Sequence, residues 1–196
     1  KDMQEAKKEK TFLFLKEAEN QFIDRLTAEI DARSNARDIA ETLLRGLNAE
    51  FPNSVEFALF FSATTGQENL LLSHIGFTSN PVEVYRGLAV MSSMPELESE
   101  TECTIIDAHE IREITTAKQL ILCPLTHLQK RLATLVIFFR GQPQSLEHIR
   151  RVLNRAAAVS AKTLFHIAVY EEHIESARTD QLTGYRNKTY LSHLLP

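Results

Sequence analysis

The segment LATLVIFF, residues 132–139, constrains the fold most, because it is apolar on both faces of an extended strand. A strand of this kind lies inside a sheet that is covered on both sides. The short polar loop 127–131 before it predicts an antiparallel hairpin with the apolar run 119–125. The runs 55–61 and 70–75, joined by a Gly-containing loop, predict a second hairpin. We therefore expect an α+β fold, an antiparallel sheet with helices on one face and irregular segments on the other.

Long helices are expected before and after the sheet. Residues 1–33 contain no Gly or Pro and predict an amphipathic helix. Its apolar positions follow three- and four-residue steps: Phe12, Leu15, Phe22, Leu26 and Ile30. A second helix is expected to begin after an N-cap at Ser34 or Asn35 and to end before Pro52.

The segment from residue 145 to 177 also lacks Gly and Pro, and its spacing is that of a coiled-coil heptad seam. The seam positions are Ile149, Leu153, Ala156, Ser160, Thr163, Ile167, Tyr170, Ile174 and Ala177. Its first half is expected to pack on the sheet as well. Ser160 and Thr163 are expected to weaken helix pairing, so leucine at both positions should strengthen the seam and lock any signal that passes along it.

Composition excludes several classes of protein. The net charge of −4 gives no basic surface for nucleic acid. No apolar run approaches the roughly 20 residues that cross a bilayer, and we expect a cytoplasmic domain. The sequence leaves open a membrane anchor upstream of residue 1. Two cysteines, Cys103 and Cys123, predict neither a disulfide framework nor a metal site, and each is expected to be a small buried hydrophobe in a reducing compartment.

The string DQLTGYRNKTYL, residues 180–191, resembles the opening of GGDEF domains, the catalytic domains of diguanylate cyclases. Gly184 suits a tight turn and Asn187 suits a helix N-cap, while Lys188 and Tyr190 depart mildly from the family pattern. The resemblance implies that two GTP molecules are joined to cyclic di-GMP across a dimer, with Mg²⁺. Because the family's acidic and GG(D/E)EF motifs are not found before Pro196, no catalytic residue is assigned in this chain.

Residues 35–175 resemble a GAF domain, a sensory module that is common upstream of GGDEF domains. A PAS domain is the near competitor, but the helix at 39–47 leading directly into the first strand favours GAF. The resemblance implies a small-molecule site between the sheet and residues 76–116. Its candidate lining residues are His74, Phe77, Val84, Tyr85, Leu88, Cys103, Ile106 and Cys123. A core that simply fills this space is an equally open interpretation.

The ligand stays unknown. The NKFDE-type pattern of cyclic-nucleotide GAF domains is absent, and Cys103 has no neighbouring His of the kind that bilin attachment requires. His74 or His109 could serve as an axial haem ligand, but a lone His is more often a packing residue. No ligand cluster has the spacing that zinc prefers, so no metal site is predicted.

The predicted organisation has four parts: an N-terminal helix (1–33), a GAF-like domain (34–158), a signalling coiled-coil helix (159–178) and the start of a GGDEF domain (179–196). Residues expected to couple the sensor to its output are Ile167, Tyr170, Ile174, Asp180, Leu182, Thr183, Gly184 and Asn187. Three functions remain open: a ligand-binding sensor of a cyclase, a ligand-free homodimerising coupling module, and a sensor attached to a degenerate GGDEF domain.

Overall fold

Three helices and five strands make up the described part of the chain. The computed structural model describes residues 2–62, 70–76, 102–107, 117, 119–140 and 146–178. The helices are α1 (Asp2–Asp31), α2 (Ala36–Glu50) and α3 (Leu146–Arg178). The strands are β1 (Val55–Ser62), β2 (Leu70–Ile75), β3 (Thr104–Asp107), β4 (Gln119–His127) and β5 (Lys130–Phe139).

The strands form one antiparallel sheet in the order β2-β1-β5-β4-β3. Strand β5 is central, as its apolar character on both faces predicted, and Leu135, Ile137 and Phe138 are at most 1% exposed. Both predicted hairpins are confirmed, β1 with β2 and β4 with β5.

A two-residue turn joins β4 to β5, because His127 pairs with Lys130. Leu128 and Gln129 at its tip have φ values of 48° and 62°. Positive φ at both central positions matches the right-handed twist of the flanking strands. The turn is shorter than the loop that the sequence predicted, because the polar residues on either side of it already belong to the ladder.

The described helices pack on one face of the sheet, which confirms the predicted α+β architecture. Alternate strand residues point toward them and form a single core with the apolar stripes of the helices. In α2, Asn35 is the N-cap, and its Oδ1 accepts a hydrogen bond from the Asp38 backbone N–H at 2.9 Å. Ile39, Leu43 and Leu47 of the same helix are buried as predicted.

The second half of α1 belongs to this same core. Phe22, Leu26 and Ile30 are buried, whereas Leu15, which continues their stripe, is exposed. A Cβ atom built on Gly46 of α2 would lie 3.1 Å from Leu26 Cδ1, so the two helices approach closely at this point. Residues 22–30 are therefore packed into the domain, although the sequence placed the whole of α1 outside it.

The first half of the predicted coiled-coil seam is occupied within the chain. Ile149, Leu153, Ala156 and Ser160 are all buried in the chain's own core. Ser160 Oγ donates to the Ala156 carbonyl at 2.8 Å, and Thr163 Oγ1 donates to Asp31 Oδ1 at 2.8 Å. Ser160 is therefore not accessible to a second helix, so the expectation that leucine there would strengthen pairing is wrong; the expectation for Thr163, which is half-buried, stays a prediction.

Candidate functional site

The sheet face opposite the helices is an apolar floor. Its side chains alternate with those of the helix-side core, and they are at most 8% exposed. Cross-strand pairing places them beside one another on β1, β5 and β4. The floor consists of Leu59, Phe61, Leu120, Leu122, Val136 and Phe138. At this exposure the side chains are already covered within the chain, as they would be in a filled core; a ligand site over them would be mostly apolar, with polar groups at its border to fix the orientation.

Two of the predicted ligand residues lie at opposite borders of this floor. His74 on β2 pairs with Leu59 and is exposed, whereas Ile106 on β3 pairs with Leu120 and is half-buried. Four strand spacings separate β2 from β3, which amounts to about 19 Å across the sheet. The two residues can therefore bracket a ligand but cannot meet. The predicted residues Phe77, Val84, Tyr85 and Leu88 lie outside the described residues.

Cys103 and Cys123 lie on the other face of the sheet, within the helix-side core. They are joined as a disulfide, and the Cys103 backbone N–H donates to Asn154 Oδ1 of α3 at 2.8 Å. Both residues are buried, as expected, but they are paired rather than free, and they are separated from the apolar floor by the sheet itself. Their pairing depends on the register of β3 against β4, which the sequence did not specify.

A buried carboxylate links α1 to α3. Glu19 is 3% exposed, its Oε2 accepts from Arg151 Nε at 2.9 Å, and its Oε1 accepts from Arg155 Nη1 at 2.9 Å. Arg155 Nη1 also donates to Asn20 Oδ1, and His148 Nδ1 lies 3.7 Å from the carboxylate. We call Glu19, Arg151 and Arg155 the interhelix clamp.

The clamp holds Glu19 in its charged form. Burial by itself raises the pKa of this carboxyl group, but the hydrogen bonds and positive charges of Arg155 and Arg151 together outweigh burial and lower the pKa below its usual range. A carboxylate with two guanidinium partners fixes the position of one helix against the other more strictly than apolar packing does.

The clamp escaped prediction, although the sequence contains one signal for it. Glu19 lies four residues after Leu15 and three before Phe22, so it occupies the apolar stripe of α1. A charged residue on a stripe that is buried requires a partner of opposite sign. Its partners lie 132 and 136 positions further along the chain, and only the fold brings them together.

Helices α1 and α3 run parallel. Contacts from Glu19 to Arg151 and from Asp31 to Thr163 share the same separation of 132 residues. By this offset, α1 extends about 18 Å beyond the start of α3, and α3 extends about 22 Å beyond the end of α1. The start of α1 and the end of α3 therefore project from opposite ends of the helix pair.

The two projecting ends carry exposed apolar side chains. On α1 these are Leu13, at the projecting end, and Phe14 and Leu15, which lie beside the first residues of α3. On α3, the predicted coupling residue Tyr170 is 67% exposed, while Ile167 and Ile174 are half-buried. The other predicted coupling residues, at positions 180, 182, 183, 184 and 187, lie outside the described residues.

The described residues contain no group of three or more His, Cys, Asp or Glu that could hold a metal ion. Nor does any helix in the described ranges combine the length and apolar content that a membrane crossing needs.

Solved structures identify the architecture. The GAF domain of a phosphoenolpyruvate-protein phosphotransferase from Coxiella burnetii matches with a TM-score of 0.62 at 15% identity, covering 79% of this chain and 96% of that one. The GAF domain of the corresponding Acinetobacter protein matches with a TM-score of 0.61 at 15% identity, covering 79% and 98%. This chain has a GAF-like fold.

A third similar structure shows a protein in its far-red absorbing dark state, with biliverdin IXa bound. It matches with a TM-score of 0.54 at 11% identity, covering 75% of this chain and 99% of that one. No family model and no curated protein matches the sequence. At these identities the likeness concerns the GAF-like fold alone and says nothing about a GGDEF domain.

Proposed function

We propose that this chain is the sensory and dimerising region of a diguanylate cyclase. The observation that carries the proposal is the parallel, offset pairing of α1 and α3, with the clamp between them. A GAF-like domain with its entry helix at one end and its exit helix at the other is arranged to pass a conformational change along the chain. The exit helix leads toward residues 180–191, which resemble the start of a GGDEF domain.

The reaction of such a cyclase explains why helix geometry would matter. Two GTP molecules, each held with Mg²⁺ by one catalytic domain, would be joined to cyclic di-GMP across a dimer. Holding two reactants in the correct geometry is itself a large part of catalysis. A change in the crossing angle or register of two paired α3 helices would therefore change the rate without any chemistry in this region.

The projecting half of α3 is where we place the dimer contact. The seam continues along one stripe of the helix. The chain's own core occupies it up to Ser160, and Ile167 also packs against that core. Beyond Ile167 the same stripe carries Tyr170 and Ile174 past the end of α1. Apolar side chains at heptad spacing are satisfied by a parallel copy of the same helix. A second copy of this chain is therefore the proposed partner.

The apolar floor is the proposed sensory surface, for an unidentified small molecule that enters between the borders marked by His74 and Ile106. The solved neighbour with bound biliverdin IXa supports the idea that this architecture can accommodate a ligand. A ligand that binds one helix arrangement better than the other shifts the population only by its difference in affinity. We propose a cytoplasmic location for this step.

The proposal is tested in the full-length protein with GTP and Mg²⁺, by measuring cyclic di-GMP. We expect turnover in the wild type and a loss of about tenfold or more in Ile174→Glu, because a charge in the seam weakens pairing and lowers the effective concentration of one catalytic domain near the other. The matched control is Glu172→Gln, on the opposite side of the same helical turn, which should turn over like wild type.

Three outcomes decide between the alternatives. No cyclic di-GMP under any condition contradicts the cyclase assignment and favours a degenerate output domain. Equal activity in Ile174→Glu and wild type contradicts the seam. Turnover that depends on the seam, in protein whose mass shows no bound molecule, favours a ligand-free coupling module.

A further inference from the structure

The disulfide joins Cys123 of β4 to Cys103, the residue that immediately precedes β3. The β3–β4 register pairs Thr104 with Leu122, and one step further places Cys103 opposite Cys123. Their Cα atoms are 4.1 Å apart. These are the two cysteines of the whole sequence. The bond therefore fastens one end of β3 to the sheet.

Strand β3 is the part of the described sheet that depends most on such a bond. It has four residues, the fewest of the five strands, and it lies at the edge of the sheet with β4 as its neighbour. An edge strand this short has few ladder hydrogen bonds, so its local opening requires less free energy than opening the centre of the sheet. Cys103 immediately precedes Thr104, the first residue of the strand, so its bond to Cys123 holds that end of β3 against β4.

The same cysteine is connected to the exit helix. The backbone N–H of Cys103 donates to the side-chain oxygen of Asn154, on the turn of α3 that lies between Arg151 and Arg155 of the interhelix clamp. A shift of β3 away from the sheet would remove this hydrogen bond. The disulfide and the clamp thus act on the same two turns of α3.

We propose that Cys103 and Cys123 form a reversible thiol–disulfide site whose reduction releases β3 and loosens its hold on α3. The reductant is a dithiol. Its thiolate attacks Sγ of Cys103, the Sγ–Sγ bond breaks, and Cys123 leaves as a thiolate. The second thiol of the reductant then displaces Cys103. Two electrons pass to the cysteine pair, which takes up two protons, and the reductant leaves as its own disulfide.

The cytosolic compartment proposed for this domain favours a disulfide that can be reduced. Disulfides in a reducing cytosol are mostly transient, catalytic or redox-sensing rather than permanent staples. Cys103 and Cys123 are 2% and 0% exposed, so exchange has to wait for β3 to open. Because the pair lies on the helix side of the sheet, this site does not use the apolar floor. The reducing compartment and the effect on output rest on the proposed function, whereas the cysteine pair and its contact with α3 do not.

The test uses the purified chain, cycled between dithiothreitol and glutathione disulfide under native conditions. Thiols are counted by iodoacetamide alkylation and mass spectrometry, and amide hydrogen exchange is measured on β3 and around Asn154. We expect two thiols after reduction, none after reoxidation, and amide exchange about tenfold faster or more in both places in the reduced form.

Two variants separate the steps. Cys103→Ala/Cys123→Ala should exchange like the reduced wild type in both buffers. Asn154→Ala should keep the redox cycle and the response of β3 but lose the response of α3. The proposal is overturned if the cysteines stay oxidised in dithiothreitol, if they fail to pair in glutathione disulfide, or if exchange on β3 and α3 is the same in both redox states. None of these readouts depends on cyclase activity, so the redox proposal can be contradicted without contradicting the proposed function.

Discussion

Replacing both Arg151 and Arg155 with alanine is expected to lower the free energy of unfolding by about 3 kcal/mol. In the wild type Glu19 is 3% exposed, and both of its carboxylate oxygens accept from these two arginines; the variant removes both cationic partners and part of the cover over the carboxylate. An uncompensated buried charge is among the most destabilising changes a protein can carry. The two arginine side chains are themselves 45% and 37% exposed, and their removal opens the carboxylate to water, which keeps the loss at the lower end of the usual range. Urea unfolding of the purified chain measures it.

The matched control is Arg150→Ala, one position away on the same helix. Arg150 forms an ion pair with Glu147 at 3.2 Å on the solvent side, where both partners are well exposed. Such a pair contributes about 0.5 kcal/mol or less. Equal losses in the two variants would show that the clamp is an ordinary surface pair.

The pH dependence of the clamp variant provides a second readout. The folded pKa of Glu19 is lowered, so its contribution to stability is present above the unfolded value of about 4.3 and is lost as the pH falls through the folded pKa. Without the arginines, the interactions that lower the pKa of Glu19 are absent, so the variant has no such contribution to lose as the pH falls. The difference between wild type and variant should therefore shrink as the pH falls below about 4.3. A constant difference across this range would contradict the role assigned to Glu19.

Ser160→Leu is expected to destabilise the folded chain by about 1–3 kcal/mol. Ser160 has no exposed surface, and the buried positions beside it on α3, Ala156, Ala157 and Ala161, are all small. Small residues on this face let the helix lie close to the sheet, so a leucine forces side chains or backbone to move. Thermal or urea unfolding of the chain gives the measurement.

Ser160→Ala is the control for volume. It removes a hydroxyl group whose hydrogen bond runs to Ala156 in the same helix, and alanine has the higher helix propensity. We expect a change within about 1 kcal/mol of wild type. A leucine variant as stable as the alanine variant would mean that position 160 faces open space. In that case the first half of the heptad seam would again be available for pairing with a second helix.

The sheet and its helices were largely predictable from the sequence because their signals are local. The doubly apolar segment 132–139 required a central strand, and β5 is central. Apolar strand segments joined by turn residues predicted the two hairpins, and the residue type at Asn35 predicted the N-cap of α2. Each of these features depends on residues within one element or one turn.

Long-range features were missed because no local pattern encodes them. The disulfide depends on the register of two strands 20 residues apart, and the clamp depends on two helices more than 130 residues apart. The heptad spacing of α3 was real but had two explanations, since a helix packed on its own sheet shows the same period as one packed on a partner. The first explanation holds up to Ser160, and Ile167 also packs against the chain's own core.

We propose that the projecting half of α3 pairs with a second copy of this chain. Native mass spectrometry of the purified chain can test this pairing, with Tyr170→Glu/Ile174→Glu as the disrupting variant and Glu172→Lys as its control on the opposite side of the helix. We expect a dimer for wild type and control, and a monomer that keeps its folded helix content for the disrupting variant. A wild-type monomer at all concentrations, or a dimer that survives both seam substitutions, would contradict it.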